Sequence, residues 1–101
     1  MAINILVIDE DGKTLAEYGC IETEDFWTME KIALKNNMKM IPYINIAGDT
    51  VFNEKQLPVL EQEVAELRSY SIVNRQSLND IDLAIKASKL TSHRYIKFWG
   101  D

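Results

Sequence analysis

Ile41 to Gln56 reads IPYINIAGDTVFNEKQ, and dividing this stretch into elements decides the fold class. Ile41, Tyr43, Asn45 and Ala47 alternate with Pro42, Ile44 and Ile46, and nearly every position is apolar, the pattern of a short strand covered on both faces. Gly48-Asp49 supplies a turn. Thr50, Val51 and Phe52 are β-formers, so a returning strand and a hairpin over 41–53 are expected. Asn53 followed three residues later by Gln56 has the spacing of a helix capping box, with Asn in place of Ser or Thr.

On the N-terminal side, the apolar run Ile3 to Ile8 (INILVI), the polar turn Asp9-Glu10-Asp11-Gly12 and the segment Thr14 to Tyr18 predict a first hairpin. Glu22, Glu24 and Asp25 then precede Phe26, Met29, Ile32, Ala33 and Leu34, which recur at helical spacing. Thr23 is the expected cap and Asn36-Asn37 the expected stop. Acids at the start and Lys31 and Lys35 at the end suit the helix dipole.

On the C-terminal side, Leu57, Leu60, Val64 and Leu67 step by three, four and three residues, an apolar helical stripe with Glu61, Glu63 and Glu66 expected on the opposite side. Pro58 places the regular start near Leu57, where a proline is tolerated in the first turn. A further helix over Gln76 to Leu90 turns Leu78, Ile81 and Ile85 inward. The short linker Ser69 to Arg75 predicts that the two helices are antiparallel. HRYIKFW, His93 to Trp99, alternates as a final strand does. The expected order is β-β-α-β-β-α-α-β: an α+β, two-layer domain over 1–101, with a mostly antiparallel sheet and three helices packed on one of its faces.

At 101 residues, 47% apolar, with four Gly and two Pro, the chain has the composition of one packed globule. It has no run of about 18 apolar residues and no charged-then-apolar leader, so neither a membrane span nor a secretory signal is read and a cytoplasmic location is expected. A lone cysteine, Cys20, fits a reducing compartment. The net charge of −5 is unevenly spread. Met1 to Leu67 holds 13 acids and five bases (−8), and Arg68 to Asp101 three acids and six bases (+3). This balance disfavours nucleic acid and anionic membranes as partners and suits a basic protein.

Catalytic constellations are not assembled. A Cys-His pair would have to come from the two singletons Cys20 and His93; their plainer roles are a small buried hydrophobe and a polar residue at a strand edge. Asp9, Glu10 and Asp11 are consecutive turn residues without the spacing of a calcium loop, and no metal or cofactor site is expected. Asp49 after Gly48 is first of all a turn residue. Arg94, Tyr95, Lys97, Phe98 and Trp99 interleave bases with aromatics as some single-strand binders do, but the global charge opposes that use. No Gly-rich phosphate loop is present. The reading is therefore non-enzymatic. The acids remain: Glu61, Glu63 and Glu66 on one helix, and Glu22, Glu24 and Asp25 at the start of another. Together they are the expected partner-binding residues, steering a basic protein, with Trp27, Tyr43, Tyr70 and Trp99 as candidate aromatic anchors.

IPYINIAGDTVFNEKQ, the upstream DEDG turn, the LxxLxxEVxxL helix and the YIKFWGD segment together resemble a group of small bacterial proteins built around a GDTVFN-Q core, here Gly48 to Asn53 plus Gln56. Through that group the chain is similar to immunity proteins of contact-dependent growth inhibition and related polymorphic toxin systems. The resemblance implies a small cytosolic, non-catalytic protein that binds one-to-one to a toxin domain, commonly a basic nuclease. It carries across no interface residues. The alternative is a regulatory protein-binding module unrelated to toxins.

Overall fold

The computed structural model describes residues 2–100. Strand β1 (Ala2–Asp9) and strand β2 (Thr14–Glu22) form the first hairpin, and helix α1 (Thr23–Lys35) follows without a linker. A single 3-10 turn occupies Ile41–Tyr43. Strand β3 (Asp49–Phe52), helix α2 (Leu57–Leu67), helix α3 (Arg75–Lys89) and strand β4 (Arg94–Gly100) complete the chain. The four strands make one sheet in the order β2-β1-β4-β3, antiparallel throughout. The α+β class, the three helices and the antiparallel sheet are as the sequence predicts.

The expected strand over Ile41 to Ala47 is absent. Only Ile41 and Ile44 are fully buried there, three residues apart, which is a 3-10 period and not an alternation. Glu63 of α2 holds this conformation. Its carboxylate accepts from the backbone N–H groups of Lys39 (2.7 Å), Met40 (3.0 Å) and Ile41 (2.9 Å), which collects the free donors at the head of the turn around one anion.

The core lies between the helices and one face of the sheet. Ile3, Ile5 and Val7 of β1, Ile21, Phe52, Ile96 and Phe98 meet Phe26 and Met29 of α1, Leu60, Val64 and Leu67 of α2, and Leu78, Ile81 and Ile85 of α3. Phe52 and Phe98 pack edge to face with ring centroids 5.8 Å apart. α3 lies against β2 closely enough that a Cβ on Gly19, which sits at φ +114° in a bulged part of the edge strand, would press on the Asp80 carboxyl group. α2 and α3 are antiparallel, as expected. Lys89 reaches Glu61 at 2.5 Å, and Arg68 donates to Asn79 at 2.9 Å.

The GDTVFN segment is occupied by this architecture. Gly48 accepts from the Gly100 N–H (2.8 Å), Thr50 Oγ1 accepts from the Asn45 N–H (2.9 Å), and Phe52 is in the core. Asp49 is the first residue of β3, not a turn residue, and its carboxylate lies 3.5 Å from Lys97. The reciprocal bonds of the box form, but in the turn before α2, whose N-cap residue is Gln56 and not Asn53: Gln56 Oε1 accepts from the Asn53 N–H (2.9 Å), and Asn53 Oδ1 accepts from the Gln56 N–H (3.1 Å). Asn53→Ala is expected to cost about 1 kcal/mol, read as a lower urea midpoint at unchanged m-value. An unchanged midpoint would show the box to be incidental.

Candidate functional site

The six carboxylates expected to face a partner do not share a surface. Glu63 is 5% exposed and its oxygens are taken by the 39–41 backbone, so it is corrected from a binding residue to an internal latch. The spacing that put it opposite the apolar stripe left out the 36–44 segment, which wraps over that flank of α2. Glu61 turns toward α3 and is paired with Lys89. Glu66 is exposed and lines a small hollow with Asn36, Asn37 and Lys39, beyond the C-terminal end of α1. Glu22 and Glu24 lie at the opposite end of that helix. With 13 residues in α1, the two acidic sets are about 20 Å apart along its axis.

Glu22, Thr23, Glu24 and Trp27 line one open groove of about 480 Å³. The local sequence builds it. β2 runs into α1 with Glu22 as the extended N-cap residue, so Thr23 is the first helical residue and not the cap. Glu24 and Trp27, three apart, then stand on the same outer face, while Phe26 and Met29 are buried beneath. Asp25 is half-buried beside this rim. Carboxylates in the first turn are favoured by the helix N-terminus, and here they flank a half-exposed indole. The groove thus joins negative charge to a flat aromatic surface.

Of the other aromatic anchors, Tyr43 on the 3-10 turn and Trp99 on β4 are exposed, and the Tyr70 hydroxyl accepts from Asn36 Nδ2 at 3.1 Å. Tyr95, Lys97 and Trp99 alternate with the buried Ile96 and Phe98 along β4, on the sheet face away from the helices. Phe98 is therefore unavailable for base stacking, and Lys97 is engaged by Asp49.

Cys20 is exposed on β2, not buried as its residue type suggests, because it pairs with Asn4 on the outer face of an edge strand. His93 precedes β4 at φ +61°, with Nδ1 3.5 Å from Glu10 Oε2 in the turn after β1. Asn4 and Glu10, just past the end of β1, are six residues apart, so Cys20 and His93 sit roughly 20 Å apart, too far for a dyad. Asp9 Oδ1 accepts from the Asp11 and Lys13 N–H groups, the turn role expected of it. Among the described residues no cluster of His, Cys, Asp and Glu could hold a metal ion, and no helix is long and apolar enough to cross a membrane.

The arrangement defines a sheet-and-three-helix domain with an acidic, Trp-bearing groove at one helix start. Comparison with protein-family models, curated proteins and solved structures finds no match to the chain.

Proposed function

We propose that the protein is a non-catalytic, cytoplasmic binding protein that docks a basic protein partner at the start of α1, and that the partner is the toxin domain of a contact-dependent growth inhibition or related system, bound one-to-one. The observation that carries the reading is the groove in which Glu22 and Glu24 flank Trp27. Two carboxylates supply steering toward a cationic cleft, such as that of a nuclease. The indole supplies apolar area at low entropic cost. The similarity of the GDTVFN-Q core to immunity proteins supports the toxin as partner. The buried Glu63 and the paired Glu61 stand outside this interface, which narrows the acidic set to Glu22 and Glu24, with Asp25 at its rim.

The test is co-expression with the adjacent upstream reading frame, measuring co-purification and viability. Glu22→Lys with Glu24→Lys is expected to weaken binding by at least about 2 kcal/mol, roughly thirtyfold, and Trp27→Ala by a similar amount. Glu66→Lys, at the other end of α1, should leave rescue intact. Full rescue by the Glu22/Glu24 reversal would remove this groove from the interface. If the wild-type chain neither binds nor rescues, the toxin assignment falls and a regulatory module becomes the better reading.

A further inference from the structure

Beyond the groove, the outer face of α1 continues as a bipolar stripe. Glu24, Trp27, Lys31 and Leu34 step by three, four and three residues, directly opposite the buried Phe26, Met29, Ile32 and Ala33. Leu34, which its neighbours in sequence suggest is inward, is 61% exposed, and Trp27 is 50% exposed. Ile72, 73% exposed in the connection between α2 and α3, faces Leu34 across a second open groove of about 610 Å³ whose rim carries Lys31 and Lys35. The stripe is thus acidic at one end, carries the exposed apolar side chains Trp27 and Leu34, and is basic at the other end through Lys31 and Lys35.

We infer that this stripe is a self-association surface on which a second copy of the chain lies with its α1 antiparallel, forming a two-fold symmetric dimer. A helix face that runs from acid to base is complementary to itself only when reversed, and a two-fold interface brings each patch against its own copy. Setting Glu24 of one copy against Lys35 of the other places the two-fold axis near Met29 and Glu30. Trp27 then lies over the Lys31 stem and Leu34 of the second copy, a cation-aromatic and apolar contact repeated by symmetry. Ile72 extends the apolar strip on either side. The inference stands apart from the toxin reading, since it concerns the chain alone. Because both occupants use Glu24 and Trp27, a partner-bound chain would be released from the dimer.

The experiment is sedimentation equilibrium of the purified chain from 1 to 300 μM at low and high salt, with variants at exposed positions whose folding is checked by circular dichroism. A monomer–dimer equilibrium weakened by salt is expected. Leu34→Asp with Ile72→Asp should raise the dissociation constant at least about a hundredfold. Glu24→Lys and Lys35→Glu should each raise it about tenfold, and the two together should restore it, because the swap regenerates complementary ends. A chain that stays monomeric at 300 μM overturns the inference. A dimer indifferent to Leu34→Asp with Ile72→Asp places the interface elsewhere, for example at the β2 edge, and also overturns it. Charge reversals that the double swap does not repair reject the antiparallel register.

Discussion

Glu63→Ala is expected to lower the stability of the fold by about 3 to 4 kcal/mol, the largest loss from any single polar side chain described here. The Glu63 carboxylate accepts from three consecutive backbone N–H groups, two of them part-buried and that of Ile41 fully buried. Truncation leaves these donors facing a small void. Each buried donor without a partner costs on the order of 1 to 3 kcal/mol, and hydrogen bonds to a charged acceptor lie at the upper end of the scale. In a domain of this size the loss corresponds to roughly 15 °C or more in Tm. Glu63→Gln keeps one acceptor oxygen but turns an NH2 toward the same donors, so it should recover only part of the stability. Urea unfolding of the three proteins decides the matter. A loss below about 1 kcal/mol for Glu63→Ala would mean that solvent satisfies the 39–41 backbone and the carboxylate is no latch.

Gly100→Ala should destabilise by about 2 to 3 kcal/mol although it adds one methyl group. A Cβ at this position would fall within 3.0 Å of the Ile46 carbonyl and 2.8 Å from the Asn45 carbonyl oxygen, and backbone cannot step aside as a flexible side chain does. The Gly100 N–H also donates to Gly48, which ties β4 to the loop before β3. Thermal and urea unfolding measure the cost. Gly12→Ala provides the contrast, since that glycine has open space around it and only its φ of +85° opposes the change. Equal stability of Gly100→Ala and the wild type would show that the 45–48 loop yields freely.

The parts of the fold legible in the sequence are those with a local cause. The Leu57, Leu60, Val64 and Leu67 stripe is buried as its period requires, α2 begins at Leu57 with Pro58 in its first turn, and Asn36-Asn37 ends α1, Asn37 at φ +55°. The failures have distant causes. Ile41 to Ala47 has strand composition, yet its first donor, the Ile41 N–H, is claimed by a carboxylate 22 residues further on, and those of Tyr43 and Ile44 close local turns. α3 starts one residue earlier than expected because the Asn74 side chain accepts from the Ser77 N–H, 2.9 Å away. Glu22 and Glu24 were legible as an acidic helix start. The exposure of Leu34 and its meeting with Ile72 were not, because they depend on where the α2–α3 connection passes α1.

The strand order carries a consequence for how the molecule comes into being. β1 precedes the other strands in the chain yet sits in the middle of the sheet, and its neighbour on the side away from β2 is β4: Ile3 pairs with Gly100 and Asp9 with Arg94. Among the described residues, β3 pairs with β4 and with no other strand. While the chain is being translated, the β1–β2 hairpin can form early, but the unpaired side of INILVI stays open until Arg94 to Gly100 have left the ribosome. Contacts of such high sequence separation form slowly, and an apolar strand edge waiting for its mate is a template for aggregation. A chain halted before β4 would therefore leave the β1–β2 hairpin and a lone β3 with nothing to join them, not a shortened version of the domain.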